Sequence, residues 1–319
     1  MSSLMQSVDA RTSLAGTNRL EVLLFSLGRD KKSGREEVFG INVFKVKEVM
    51  HVPEITRAPD MPDSVEGMVS LRGMTIPVIN LTRYCGIEVD DEPSIMIITE
   101  YNKHVQGFLV HSVDSIQRLA WEDVKVPPSM MAGQHGGLVT SVTEVKDKGL
   151  IMIMDVEKVL SETAGFYNDD AIFDGIDTAE NQELTILFAD DSGVARGQIR
   201  RTLEKMGVNH IGAVNGQDAW EKLLELAERC EADGSAVTDQ VQLVLTDVEM
   251  PEMDGYVLTR KIKNDERFKS IPVVMHSSLS AEANQAMGEG LGADAYVAKF
   301  EPRELSATLT KMITELTPA

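Results

Sequence analysis

Five side chains of this 319-residue sequence stand directly after short apolar runs, and together they could do chemistry. Asp190 and Asp191 follow Thr185-Ile186-Leu187-Phe188-Ala189. Asp247 follows Val241 to Thr246, Ser277 follows Ile271 to His276, and Lys299 follows Ala295 to Ala298. Brought to one place, the three carboxylates would repel one another. A hard divalent cation such as Mg²⁺ relieves that repulsion, because it takes oxygen ligands and keeps several waters. Ser277 could then donate to a phosphoryl oxygen, and Lys299 could neutralise one. Taken singly, each residue has an ordinary explanation. An Asp pair or a Ser caps a helix, and a lysine is a solvated surface charge. The chemistry requires all of them at one edge.

The elements around them supply such an edge. Thr185 to Ala189 is continuously apolar, as a strand buried on both faces must be. Ala195, Ile199, Leu203 and Met206 recur at helical spacing, and Gly207 suits a helix end. A strand (His210 to Val214), a helix (Trp220, Leu223, Leu224, Ala227) and the strand Val241 to Thr246 follow. A helix from Tyr256 to Lys263, the strand Ile271 to His276, a helix from Ala281 to Glu289 and the strand Ala295 to Ala298 continue the alternation. Leu305, Leu309, Met312 and Ile313 mark a last helix. Five strands alternating with five helices predict an α/β, doubly wound, five-stranded parallel sheet over residues 184–319. In such sheets ligands bind at the carboxyl ends of the strands.

The first half has another rhythm. Residues 1–18 are Ser-, Thr- and Gly-rich and read as a flexible N-terminus. From residue 19 to 162 short strands are punctuated by Gly, Pro and Asp. Examples are Leu20 to Leu27, Val43 to Lys47, Met74 to Leu81, Ile95 to Thr99, Val105 to His111 and Gly149 to Met154. Several alternate, and short helical pieces fall only around Thr82 to Tyr84 and Asp155 to Ser161. This pattern predicts an all-β domain, a sandwich or small barrels. Residues 163–183 are acidic and without period, and are expected to link the two domains.

The sequence carries 51 acidic and 31 basic residues, net −20. Residues 1–179 hold 27 acidic and 17 basic groups and residues 180–319 hold 24 and 14, so each part is net −10. Neither half offers the positive footprint that nucleic acid requires. Cys85 and Cys230 have no metal-ligand spacing and read as small apolar residues of a reducing cytoplasm. No run approaches the length of a membrane span, and the first residues lack the apolar core of a signal peptide. The sequence also lacks a P-loop, a helix-turn-helix and a Ser/His/Asp order.

The segments Phe188-Ala189-Asp190-Asp191-Ser192, Leu245 to Gly255, Met275-His276-Ser277-Ser278 and Tyr296-Val297-Ala298-Lys299 together resemble the receiver domain of bacterial response regulators. The resemblance implies a flavodoxin-like fold in which Asp247 accepts a phosphoryl group from a phosphohistidine. It implies Mg²⁺ held by Asp190, Asp191, Asp247 and the Glu249 backbone carbonyl. Ser277, Lys299 and Tyr296 would bind the phosphoryl group or switch in response to it. Receivers usually place Pro directly after the lysine; here Phe300-Glu301 precede Pro302.

Glu66 to Leu81, with an Arg72-Gly73 turn before Ile76-Pro77-Val78-Ile79-Asn80-Leu81, resembles the CheW-type coupling fold, as do Phe39-Gly40-Ile41 and Ile151 to Leu160. That implies two small five-stranded, SH3-like barrels. A CheW-like domain followed by a receiver is the layout of CheV-type chemotaxis coupling proteins. By that resemblance the chain is a cytoplasmic phosphoprotein recruited to membrane chemoreceptor arrays. Its implied partners are methyl-accepting chemoreceptors, a CheA-type histidine kinase and CheW-type coupling proteins, with Arg72 as a partner contact. It would not be an enzyme. The rival readings are an aspartyl-phosphate phosphatase, or a structural adaptor with a silent receiver.

Overall fold

The computed structural model describes residues 19–57, 59–101, 104–128, 137–164, 170–179, 184–277, 292–299 and 301–316. The expected flexible stretch 1–18 and the expected helix Ala281 to Glu289 lie outside the described residues. The chain forms two compact units.

The first unit holds ten strands: β1 (Arg19–Arg29), β2 (Glu36–Asn42), β3 (Val46–His51), β4 (Val65–Leu71), β5 (Met74–Asn80), β6 (Ile95–Tyr101), β7 (His104–Val110), β8 (Ser112–Ala120), β9 (Val139–Val145) and β10 (Gly149–Met154). They form two five-stranded sheets, ordered β8-β1-β2-β10-β9 and β3-β6-β7-β5-β4. Ion pairs between opposite ends of each order show that both sheets roll up. Arg72, at the β4–β5 turn, reaches Glu48 on β3 at 3.0 Å. Lys148, in the turn between β9 and β10, pairs with Asp114 on β8. This is the two-part β architecture that the sequence implies.

Local chemistry departs from pattern in two places. The alternation Leu20-Glu21-Val22 suggests a half-exposed strand, yet β1 is buried on both faces from Leu20 to Gly28. Glu21 is tolerated there because Arg118 Nε on β8 approaches its carboxylate at 2.5 Å. Val43 to Lys45, read as strand, forms a 3₁₀ turn. The Asn42 side chain accepts from the Phe44 N–H at 3.0 Å, and that local bond competes with ladder pairing. At the other end of the unit, Asp155 Oδ1 accepts from Glu157 N and Lys158 N and starts the helix Val156–Ala164.

The second unit contains β11 (Thr185–Ala189), β12 (Asn209–Ala213), β13 (Leu243–Thr246), β14 (Val273–Ser277) and β15 (Ala295–Ala298). All pair in parallel, in the order β12-β11-β13-β14-β15. On one face Ile199 and Leu203 of the helix Gly193–Met206, with Leu305 and Leu309 of Pro302–Leu316, pack on Ile186, Phe188 and Leu245. On the other, Leu223 and Ala227 of the helix Gly216–Asp233, with Leu258 and Ile262 of Gly255–Asn264, pack on Leu187 and Val244. Within the stretch expected as linker, residues 170–179 pack on this unit. Phe173 and Ala179 are buried, and the Arg201 guanidinium lies 4.4 Å from the Phe173 ring centroid. Among the described residues no helix is long and apolar enough to cross a membrane.

Candidate functional site

The central strand β13 delivers Asp247 to the carboxyl edge of the sheet, and its neighbour β11 delivers Asp190 and Asp191 beside it. One oxygen from each of the three carboxylates lies within 4.8 Å of the others. Asp190, Asp247 and Lys299 are buried. Lys299 emerges from β15, two strands away, and its Nζ bridges Asp190 Oδ2 at 2.8 Å and Asp247 Oδ2 at 2.9 Å. The other oxygens are held by backbone. Asp190 Oδ1 accepts from Ser192 N at 2.9 Å, and Asp247 Oδ1 accepts from Val248 N at 2.7 Å. The resemblance assigns Lys299 to phosphoryl oxygens; here it also holds the two acids together.

Among the described residues three carboxylates cluster with one ammonium, a set rich in negative charge and hard oxygen donors. That donor set fits Mg²⁺. Glu249 lies two residues beyond Asp247 and is half-buried. Ser277 ends β14 and is buried. Tyr296 on β15 packs with Val248, Tyr256 and Met275. Burial raises the Tyr296 hydroxyl above its ordinary pKa, and a hydrogen bond with Ser277 opposes that shift. The two expected switch residues therefore already touch.

The loop after Asp247 is placed by backbone contacts that the sequence reading left unassigned. Gly255 N donates to Val248 O at 2.9 Å. A Cβ on Gly255 would lie 2.0 Å from the Asp247 carbonyl oxygen, so only glycine allows this closure. Asp254 caps the helix Gly255–Asn264 through Val257 N at 2.7 Å, and burial raises its carboxyl pKa. Gly216 N donates to Met253 O at 3.2 Å, and Asn215 Nδ2 donates to Glu252, which sits at φ 65°. The visible signal for this clasp was the Met-Asp-Gly run after the acceptor strand. Nothing local connects that run to Asn215-Gly216.

Arg72 belongs to the first unit, at the β4–β5 turn. Leu71 pairs with Met74, leaving Arg72-Gly73 as a two-residue hairpin turn with φ of 50° and 80°. Such turns favour Asn or Gly at their first position. An arginine there accepts unfavourable left-handed backbone and presents a 67% exposed side chain.

Comparison with known proteins agrees with this division. Residues 21–164 match the CheW-like domain family, and residues 186–310 match the response regulator receiver domain family. The chemotaxis protein CheV3 of Helicobacter pylori is 34% identical over 283 residues, covering 87% of this chain and 89% of its own length. The CheV1 protein of the same organism is 25% identical, covering 98% and 99%. The chemotaxis protein CheW of Klebsiella aerogenes is 29% identical over 160 residues, covering 49% of this chain and 92% of that protein.

Proposed function

The chain belongs to the CheV family of chemotaxis proteins, and from that premise we propose that it is an adaptor coupling chemoreceptors to a CheA-type histidine kinase, tuned by phosphorylation of Asp247. The carrying observation is the buried carboxylate cluster at the sheet edge, with Lys299 bridging Asp190 and Asp247. In the transfer, a carboxylate oxygen of Asp247 attacks the phosphorus of a phosphohistidine. The P–N bond breaks, its electron pair stays on the imidazole, and an acyl phosphate forms. Lys299 offsets negative charge on the transferring group. Asp190, Asp191, Asp247 and the Glu249 carbonyl would hold Mg²⁺, which when bound neutralises phosphoryl oxygens.

The output is a population shift. Ser277 turns from Tyr296 toward the phosphoryl group, and Tyr296 repacks, leaving its present place against Val248, Tyr256 and Met275. The Ser277–Tyr296 contact supports this reading, because a hydroxyl drawn to a new acceptor must release the old one. The first unit supplies the coupling surface, with Arg72 as a partner contact in a cytoplasmic receptor array. The protein takes a phosphoryl group stoichiometrically in this reading, with Glu249 standing two residues after Asp247 where aspartyl-phosphate phosphatases commonly place a second Asp as general acid.

Mixing the full chain with a phosphorylated CheA-type kinase and Mg²⁺, then following the label, tests the proposal. Label moves to the wild type and not to Asp247→Asn, whose amide keeps the shape but is a poor nucleophile. Equal labelling of both rejects Asp247 as acceptor. A parallel melt of Asp247→Asn separates lost chemistry from lost fold. Rapid decay of the label without change in receptor–kinase coupling would reduce the role to a phosphate sink.

A further inference from the structure

Arg196 sits in the first turn of the helix Gly193–Met206, next to the acidic pair in sequence. A cation is disfavoured at that end of a helix, where the macrodipole is positive. Its placement is explained by what it touches. Arg196 Nη1 donates to the backbone carbonyl of Asp190 at 2.8 Å and to that of Asp191 at 2.9 Å. Its Nη2 lies over Gly193, 3.8 Å from where a Cβ would stand. The side chain therefore folds back along the turn between β11 and its helix, and a single nitrogen clips two consecutive carbonyls.

Fixing two consecutive carbonyls fixes the peptide plane between Asp190 and Asp191. The Asp191 carbonyl belongs to the next peptide, so both planes flanking the Asp191 Cα are restrained, and with them the direction of its Cβ; Asp190 is oriented by the end of its strand, where its N–H donates to Ala213 O at 3.3 Å. Ser192 restrains the same turn from the other side: its N–H binds Asp190 Oδ1, and its Oγ accepts from Ala195 N at 3.4 Å. The acidic pair is thus held by two independent braces, one reaching a side-chain oxygen and one reaching the main chain.

We infer that Arg196 is a positioning residue, holding the Asp190–Asp191 turn in the shape that lets both carboxylates share one cation. The inference rests on the metal reading above and adds a residue that does not itself ligate. It has a useful sign. As a bare charge, Arg196 repels a nearby cation, so its removal should tighten cation uptake. As a clip, its removal should loosen uptake, because partners that orient metal ligands typically carry about 10- to 100-fold in affinity. The guanidinium's rigid fork suits this task better than an ammonium, though an ammonium has donors enough for two carbonyls.

The experiment titrates the full chain with Mn²⁺ and counts free ion by electron paramagnetic resonance, with thermal melts in parallel. The set is wild type, Asp191→Asn, Arg196→Ala and Arg196→Lys, with Arg196→Gln replacing the alanine variant should that one melt too low. The expected result is about ten-fold weaker uptake for Arg196→Ala or Gln, recovered to within about three-fold by Arg196→Lys. Wild-type uptake that is lost in Asp191→Asn, combined with unchanged or tighter binding in Arg196→Ala, overturns the positioning role alone. No uptake by the wild type overturns the metal reading and this inference with it.

Discussion

Each unit of the molecule buries carboxylate, and the two do it in opposite ways. In the first unit Glu66 is 8% exposed. Arg57 pairs with one oxygen, while Arg83 Nη1 at 2.8 Å and Asn80 Nδ2 at 3.3 Å share the other. Two arginines meet Glu66, Arg83 also approaching Glu92 Oε1 at 3.7 Å, and both arginines keep much of their surface in water. In the second unit three carboxylates meet one buried lysine. Both oxygens of Glu66 are matched by cationic partners, so the first cluster needs nothing more and serves to hold β4 to the helix Leu81–Tyr84. In the second, carboxylates outnumber the one lysine they meet among the described residues, and a largely buried, anion-rich cluster is unfavourable unless it exists to take a cation. The difference teaches that the balance of partners around a buried charge, more than burial itself, separates a structural cluster from a site.

The sharpest way to break this comparison is to remove the compensating charge from each cluster. Lys299→Met leaves buried carboxylates facing one another, and should cost about 3–5 kcal/mol in chelator. Excess Mg²⁺ should recover a large part of that loss through linkage. Glu66→Gln should cost only about 1 kcal/mol, since Arg57 and Arg83 are already solvated, and Mg²⁺ should make no difference. Denaturant midpoints with and without Mg²⁺ measure both. An Mg²⁺-independent loss in Lys299→Met would remove the distinction.

A second intervention leaves the charges alone and moves the acceptor. Gly255→Ala places a methyl against the Asp247 carbonyl, where backbone cannot yield cheaply. Overpacking of this kind costs about 1–3 kcal/mol, and the displaced loop should also slow phosphoryl acceptance. Normal labelling at normal stability would show that the loop does not set the position of Asp247.

The smallest effect on stability belongs to Arg72→Asp. Its pair with Glu48 is solvent-exposed, so the melt should change by less than about 1 kcal/mol. Binding to receptor and kinase fragments should weaken, because an exposed turn charge can anchor an interface without supporting the fold. A collapsed melt would class Arg72 with Glu66 as a structural group. Unchanged affinity for both partners would remove it from the binding surface.

Much of this molecule was legible before folding. A parallel sheet covered on both faces forces its strands to be continuously apolar, so Thr185 to Ala189 and Ile271 to His276 announce themselves, and the residues just after those runs mark its carboxyl edge, although Ser277 proves to be the last residue of its strand. Gly207 closes its helix in the left-handed region, as its place in the sequence suggested. The first unit was less readable. Its strand β1 is buried on both faces, so alternation misleads there, and Asn42 turns the chain where hydrophobicity alone says strand.

What the sequence by itself determined is the set of chemical groups and the order of elements carrying them, because side-chain type and periodicity are local properties. Asp190, Asp191, Asp247, Ser277 and Lys299 could be named, and their common edge inferred from topology. Only the tertiary structure decided their terms of contact: that Lys299 spans two acids from a strand beyond β14, that Ser277 already meets Tyr296, that Phe173 and Ala179 join the second core, and that Asn215-Gly216 clasps the acceptor loop. The physical reason is reach. A side chain's few ångströms of range select partners by proximity in space, and residues far apart in the chain become neighbours only when the sheet has been assembled.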